Sequence, residues 1–433
     1  MTYRYTSDGK KVSLLGYGAM RMPTVDGGHA NGWVQEGYSK SLIDQDELNR
    51  QIKYLLDCGV NYFDTSPAYC RGESEARLGR ALKASGVARG DIVLATKLSN
   101  FAPQQYPLDA CKRMFEKSLK CLQTDYVDNY LLHAIGNDGF ETFSKRYLEN
   151  GALDWCATLR QEKRIRNLGF SYHGDPKAFA WCMEHHDTYK WDFCQIQMNY
   201  IDWRHAKQVN PRNLDAEYLY RTLTEKGIPV VVMEPLLGGR LARYNYALAS
   251  VLKPLDPEAS LAKWAFRFLG TYPNVMTVLS GMTRFSDIEE NVATHSPLKP
   301  CSPEELVALE RAAVEYLKLN PVPCTACQYC MPCPYGLDIP SIFAFRNEVI
   351  ASKRLLTTDE TLALYERYVP EKLRRADRCT GCGRCMGHCP QSIDIPYEMA
   401  SIDRWIGRMI AEKERAALRQ KREQKKEEER KWL

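Results

Sequence analysis

The 433-residue chain lacks any run of about 18 or more uncharged apolar residues, which excludes an ordinary membrane-spanning helix. Its first residues, MTYRYTSDGKKV, contain no apolar stretch of the kind a secretory leader carries, so a cytoplasmic location is expected. Charge of one sign is missing as well. The formal net charge is +5, and from Asp403 to Leu433 eleven Lys/Arg face seven Asp/Glu, which leaves residues 1–402 with only +1. That balance excludes a basic nucleic-acid footprint over the body of the protein. No Gly-x-Gly-x-x-Gly opens the first helical segment, so a doubly wound dinucleotide-binding sheet is disfavoured. An apolar fraction of 44% with 26% charged residues belongs to a folded chain rather than a disordered one.

What the chain has in excess is cysteine, sixteen in all. In a long chain without a leader, such clustering points to metal rather than to disulfides. Eight of the sixteen fall in two runs, Cys324-TA-Cys327-QY-Cys330-MP-Cys333-Pro and Cys379-TG-Cys382-GR-Cys385-MGH-Cys389-Pro. Three cysteines at two-residue spacing wrap three corners of one cuboidal cluster from a single short loop. The fourth corner needs a remote thiolate, and in two-cluster ferredoxins the Cys-Pro of the other run supplies it. The expected sets are therefore Cys324, Cys327 and Cys330 with Cys389, and Cys379, Cys382 and Cys385 with Cys333. Zinc is the alternative, but a tetrahedral zinc site needs neither the third cysteine at equal spacing nor the proline. The first run has two residues before its last cysteine where the second has three. The intervening segments 341–353 and 359–369 have helical patterns, and the module resembles the α-helical dicluster ferredoxins. The other eight cysteines (Cys58, Cys70, Cys111, Cys121, Cys156, Cys182, Cys194 and Cys301) read as small core residues.

Ahead of the cysteine runs, short β-branched segments alternate with amphipathic ones. Strands are expected at 13–18, 62–66, 92–97, 126–133, 167–171, 193–199, 229–235 and 277–281. Helices are expected at 45–58, 73–84, 108–122, 176–185, 214–226, 257–269 and 287–294. Eight such strands separated by helices fit a (β/α)8 barrel followed by a mainly α-helical second domain. Barrel chemistry sits at the C-terminal strand ends, which here carry Asp64, Lys97, His133, Ser171, Gln195, Asn199 and Glu234. Two long loops, 23–43 and 202–213, follow strands one and six and are expected to wall the substrate. Ser302 and Glu305 form a capping-box pattern for a helix reaching about residue 319. The domains are expected at 1–298 (barrel), 299–402 (linker helix and cluster module) and 403–433 (charged helical tail). Within that tail's start, Trp405, Ile406 and Met409 offer a small apolar face for a partner, although a plain solvated helix is the simpler expectation.

The strand-end segments Asp64-TSPA-Tyr69, ATK at Lys97 and LLH ending at His133 resemble those of the aldo-keto reductases. So do LGYGAM around residues 16–20, GFS at 169–171, QIQMN at 195–199 and EENV around Asn291. The resemblance covers roughly residues 3–296, and with the cysteine runs attached it is similar to the ferredoxin-fused subgroup of that family. It implies a TIM barrel that reduces an aldehyde or ketone with NADP(H) or NAD(H). Tyr69 would be the proton donor, Lys97 held by Asp64 the cation that tunes it, and His133 the group that orients the carbonyl oxygen or helps relay the proton. It further implies that Ser171 and Gln195 meet the nicotinamide carboxamide with Asn199 nearby. Gly18, Met20, Arg21, Met233, Leu236 and Gly238 would line the cofactor path, and Arg284, Glu290 and Asn291 would meet the adenosine end. Arg284 favours a 2′-phosphate and Asp287 opposes one. Met233 stands where many relatives stack a tyrosine, and Tyr172 where an asparagine is usual.

A hydride carrier passes two electrons and an iron–sulfur cluster one, so a converter such as a flavin is the alternative link between the halves. The expected function is NAD(P)H-dependent carbonyl reduction with two [4Fe–4S] clusters in the C-terminal domain. The alternatives are a ferredoxin-coupled oxidoreductase passing single electrons to a barrel-bound flavin or substrate, and a non-enzymatic nucleotide- or redox-sensing module. Expected partners are a small carbonyl substrate and, for the second function, a redox protein; neither nucleic acid nor membrane is expected.

Overall fold

The computed structural model describes residues 1–6, 9–25, 43–352 and 356–431. By its internal packing the chain falls into two units, Met1–Tyr244 with Leu248–Glu315, and Asn245–Ala247 with Tyr316–Leu433.

The first unit is a closed barrel of eight parallel strands preceded by a small hairpin. The hairpin pairs β1 (Tyr3–Tyr5) with β2 (Lys11–Ser13), antiparallel. The barrel strands are β3 (Leu15–Gly18), β4 (Tyr62–Asp64), β5 (Val93–Leu98), β6 (Val127–Ile135), β7 (Ile165–Tyr172), β8 (Phe193–Gln197), β9 (Val230–Met233) and β10 (Val275–Ser280). They pair in chain order and β10 closes on β3. All eight expected strands are present. The barrel strands are almost entirely buried, as parallel strands covered by helices must be. Inside, Val12, Tyr62, Leu131, Phe193, Val231 and Leu279 belong to one apolar cluster. Asn129 donates to the Tyr62 hydroxyl (2.9 Å), and Asn167 donates to Asn129 (2.8 Å), which pairs these polar groups of the barrel. Gly16 is forced by crowding: a Cβ there would stand 2.9 Å from Thr277 Oγ1 and 3.0 Å from Leu279.

The helices start where local chemistry says they should. Asp44 accepts from Glu47 N (3.0 Å) to cap Gln45–Asp57, whose Leu48, Gln51, Ile52 and Leu55 are buried at helical spacing. Asp175 caps Pro176–Glu184 through Lys177 N and Ala178 N, with proline at its first position. Three features differ from the sequence reading. The hairpin strands are too short to show a period. Between β6 and β7 lies a helix, Ala152–Gln161, opened by Gly151 at φ +68°. Residues 202–213 are not a loop throughout, because Asn199 Oδ1 accepts from Ile201 N and Asp202 N and starts a helix at Asp202–Val209. Of the other expected loop, residues 26–42 lie outside the described residues.

The capping box at Ser302/Glu305 is present, with both reciprocal bonds (2.8 and 3.2 Å) starting the helix Pro303–Lys318. Most of that helix belongs with the barrel, tied by Arg267–Glu305 (2.5 Å) and His205–Glu310 (2.8 Å). The division therefore falls after Glu315 rather than at 298.

The second unit packs helices Ile339–Ala351, Thr358–Tyr368 and Ile395–Lys431 around Phe343, Phe345, Tyr365, Met399, Ile402 and Ile406. The last helix runs unbroken through residue 403, where the tail was expected to begin. Its apolar start is core: Ile406 is buried, and Trp405 lies 5.8 Å from Phe345 in a stacked pair. Among the described residues, no helix is long and apolar enough to cross a membrane.

Candidate functional site

At the C-terminal ends of β4, β5 and β6, the barrel gathers four side chains. Asp64 closes β4 and Lys97 is the second-to-last residue of β5; their Oδ1 and Nζ atoms are 2.5 Å apart and both side chains are buried. The ammonium also donates to Thr65 O at 2.9 Å. Desolvation pushes the Asp64 carboxyl up and the Lys97 amine down, and the mutual attraction of the pair opposes both shifts. Tyr69, on the turn after β4, presents its ring to this cation, with Lys97 Nζ 4.9 Å from the ring centroid. His133, in β6, meets the same ring edge-on at 5.7 Å between centroids. The tyrosine rests on a strained turn: Cys70 and Arg71 both have φ near +50°, which costs a non-glycine residue energy.

His133 is held in one state. Burial, then the charge of Lys97, keeps its imidazole well below the usual histidine range and therefore neutral at pH 7. Its Nδ1 lies 2.6 Å from Ser99 Oγ, and Ser99 in turn lies 2.9 Å from Ser66 Oγ. Ala68 N donates to Ser66, so the hydroxyls can run Ser66 to Ser99 to Nδ1. A Ser99 hydroxyl donating to Nδ1 leaves the ring proton on Nε2, the tautomer able to donate to a carbonyl oxygen. Arg146, buried, fixes the backbone beneath by donating to His133 O at 2.7 Å. It also stacks 4.8 Å from the ring of Phe101, which is 39% exposed and 5.0 Å from the His133 ring. His173, one residue past β7, is pushed down to about 4 by burial, then by Lys97 and Arg146.

The candidate cofactor residues follow around the same rim. Ser171 Oγ accepts from Ala134 N at 2.8 Å, which leaves its own hydroxyl proton available. Gln195 is buried, and its Oε1 has no hydrogen-bond partner among the described residues. An orphaned buried amide oxygen at a strand end fits a ligand N–H such as that of a carboxamide. Asn199 does not offer its amide in the same way: its Nδ2 donates to Asp202 (2.7 Å) and Glu234 O (3.1 Å), and its Oδ1 starts the helix. Met233 ends β9. In the turn beyond it, Glu234 accepts from Gly238 N at 2.6 Å and Leu236 is half-buried, while Gly18 ends β3 and Met20 and Arg21 follow it, all three half-buried. Arg284 is engaged with Asp287 (2.8 Å), Glu290 is exposed, and Asn291 donates to Ser280 Oγ at 3.2 Å.

Sequence reasoning missed Ser66, Ser99, Phe101, Arg146, His173 and Asp202. Of these, Asp202 is buried beside Gln197 and Asn199, and desolvation raises its carboxyl to about 6. Ser66, Ser99 and His173 sit at or just past strand ends and were open to the same argument as Asp64. Arg146 lies in a single π-helical turn with no local signature.

In the second unit, Cys324, Cys327, Cys330 and Cys389 line one pocket, walled by Ile339, Phe343, Ile393 and Ile395. Burial pushes the Cys330 thiol up, helped by Cys327, Cys324, Cys389 and Cys385, and burial likewise raises Cys385, helped by Cys333, Cys379 and Cys382. Four thiols around one pocket whose walls are mainly apolar, with Thr325, Gln328 and Gln391 as its polar members, fit the ligand set of one cubane.

The family model described as the aldo/keto reductase family matches residues 15–312, and that of the 4Fe-4S dicluster domain matches residues 323–393. L-galactose dehydrogenase of Arabidopsis thaliana is 26% identical over 321 residues, spanning 71% of this chain and 91% of the relative. A probable voltage-gated potassium channel subunit beta of rice (Oryza sativa subsp. japonica) is 27% identical over 353 residues, spanning 70% and 93%. The holo form of an aldo-keto reductase from Bacillus halodurans superposes with a TM-score of 0.56 at 25% identity, covering 72% of this chain and 96% of that one.

Proposed function

The chain belongs to the aldo/keto reductase family of oxidoreductases and carries a 4Fe-4S dicluster domain, and from that premise we propose that its barrel reduces an aldehyde or ketone to an alcohol with NAD(P)H. The observation that carries the proposal is the convergence of Tyr69, Lys97 and His133, with Lys97 seated on buried Asp64.

When bound, the reduced nicotinamide supplies a hydride. Gln195 Oε1 and the Ser171 hydroxyl would hold its carboxamide, and Arg284 with Asn291 would frame the adenosine end. Tyr69 gives its proton to the carbonyl oxygen as charge develops there. The Lys97 ammonium, beside the phenol ring, eases that proton loss by favouring the phenolate left behind. Asp64 holds Lys97 charged where burial alone would neutralise it. Neutral His133 donates from Nε2 to the same oxygen and fixes which face of the carbonyl is presented. Phe101 supplies an apolar wall for the substrate. In the second unit Cys324, Cys327, Cys330 and Cys389 would hold one [4Fe–4S] cluster, and Cys379, Cys382, Cys385 and Cys333 a second, each able to carry single electrons. A role for them in the reaction would call for a flavin or another one-electron acceptor in the barrel.

The test is anaerobic incubation with NADPH or NADH and a panel of aldehydes and ketones. Alcohol formation matched to nicotinamide oxidation is expected. No turnover across the panel, with the cofactor still bound, would instead favour a sensing role, as the likeness to a channel beta subunit suggests.

A further inference from the structure

His133 stands at an irregularity in its own strand. The pairing of β6 with β7 slips between Leu132 and Ile135, and Ala134 within that bulge has φ of +56°. A non-glycine residue in that region is strained, and bulges beside active sites re-aim side chains. A bulge also breaks the ladder locally, so its backbone groups need other partners. Here His133 O accepts from Arg146 Nη2 at 2.7 Å and lies 2.8 Å from the Tyr147 hydroxyl. Ala134 N donates to Ser171 Oγ at 2.8 Å, and Ala134 O accepts from Arg146 Nη1 at 3.4 Å.

Arg146 and Tyr147 come from one π-helical turn, Ser144–Leu148, and the same turn grips the end of β5. Arg146 Nε donates to Asn100 O (3.1 Å), and Asn100 Nδ2 donates back to Arg146 O (2.8 Å). The Tyr147 hydroxyl is also 3.0 Å from Leu98 O. Between Leu98 and Asn100 stands Ser99, whose hydroxyl meets His133 Nδ1. One guanidinium thus joins the backbone of His133 to the backbone bearing the hydroxyl that holds its ring. It is buried, and among the described residues no carboxylate lies within ion-pair distance of it; its acceptors are carbonyls, an amide oxygen and a hydroxyl. Burying a cation without a counter-ion is unfavourable. Arg89 makes the contrast. It ties the opposite ends of β5 and β6 through Thr124 and Tyr126 O while half-buried and 2.7 Å from the Asp128 carboxylate. Holding strands together therefore requires neither full burial nor an uncompensated charge.

We propose that Arg146 is a positioning residue for carbonyl reduction: by clamping the β6 bulge to the end of β5 it aims His133 at the carbonyl oxygen. The inference rests on the reaction proposed for the barrel. The planar fork is what does this, because Nε, Nη1 and Nη2 each reach a different backbone carbonyl, and a lysine ammonium cannot span them. With those nitrogens engaged by the protein and Phe101 4.8 Å from the guanidinium, Arg146 acts through His133 and not on the substrate.

The test compares Arg146→Lys, Arg146→Ala and Tyr147→Phe with Arg89→Met. Nicotinamide binding, followed by quenching of tryptophan fluorescence, counts the competent sites in each preparation, and aldehyde turnover is expressed per site. Both Arg146 variants should lose about tenfold to a hundredfold in kcat at unchanged nicotinamide affinity. Tyr147→Phe, which drops one hydroxyl from the clamp, should show a smaller loss in the same sense. Arg89→Met should melt at a lower temperature yet keep its kcat. Should neither Arg146 variant bind nicotinamide, Tyr147→Phe decides. Fewer sites with full kcat per site, or a kcat fully kept in Arg146→Lys, overturns the positioning role alone. No aldehyde turnover by the unaltered protein overturns the reaction itself, and this inference with it.

Discussion

The ammonium of Lys97 lies 4.9 Å from the centre of the Tyr69 ring while holding Asp64 at 2.5 Å. One cation therefore answers to two neighbours, a carboxylate that keeps it charged and a phenol whose proton it loosens. Removing it should damage stability through the first and chemistry through the second.

Lys97→Met leaves Asp64 buried beside an apolar side chain, and should cost about 3–5 kcal/mol of stability. Pairing it with Asp64→Asn should recover much of that loss, as seen in chemical denaturation. Carbonyl reduction should stay at least about a hundredfold low in both variants. Activity that returned along with stability would show the pair to be structural only.

Burial holds His173 and His295 down to about 4, and His133 below the ordinary range as well. On unfolding, each would take up a proton below about 6.5, so the unfolded chain binds more protons than the folded one. Stability should therefore be fully present above pH 6.5 and be lost as pH falls toward 4. The slope is about 1.4 kcal/mol per pH unit for each histidine. Denaturant midpoints at pH 7 and pH 5 measure it, and equal midpoints would contradict the buried neutral state.

Asp202 runs the other way. Its carboxyl is raised to about 6 by desolvation, so above that pH a charge is held where water is scarce. Asp202→Asn keeps an oxygen to accept from Gln197 and Asn199, which now donate to it at 2.7 Å each. The variant should be more stable by roughly 1–3 kcal/mol at pH 8, with the gain shrinking below pH 6. Melting curves across that range would show it. A variant less stable at pH 8 would mean that the charge is compensated.

The crossed cysteine sets predict a pattern of iron loss. Cys324→Ala and Cys389→Ala should each remove one cluster, about half the iron, and their combination should remove no more. Cys324→Ala with Cys382→Ala should remove both. If the Cys324/Cys389 pair lost all its iron, the grouping would be wrong.

Much of this was readable because two kinds of signal are local. Metal-binding runs announce themselves by spacing, and a parallel barrel puts Asp64, Lys97 and His133 at strand ends that β-branched residues delimit. The parts that stayed hidden depend on distant partners. Arg146 reaches His133 O from a π-helical turn that no sequence period marks. The helix at Asp202–Val209 is started by Asn199, whose place beside the cofactor is what the family resemblance implies. Trp405 and Ile406 are core, where a solvated helix is the simpler sequence expectation, because only the folded second unit supplies Phe345 to cover them.

The most direct test is Tyr69→Phe, which deletes one hydroxyl and leaves the ring between Lys97 and His133. Its kcat for aldehyde reduction, measured with clusters intact and nicotinamide affinity checked separately, should fall by about a hundredfold to ten-thousandfold with binding preserved. Turnover equal to that of the unaltered protein would contradict Tyr69 as the proton donor, and with it the proposed reaction of the barrel.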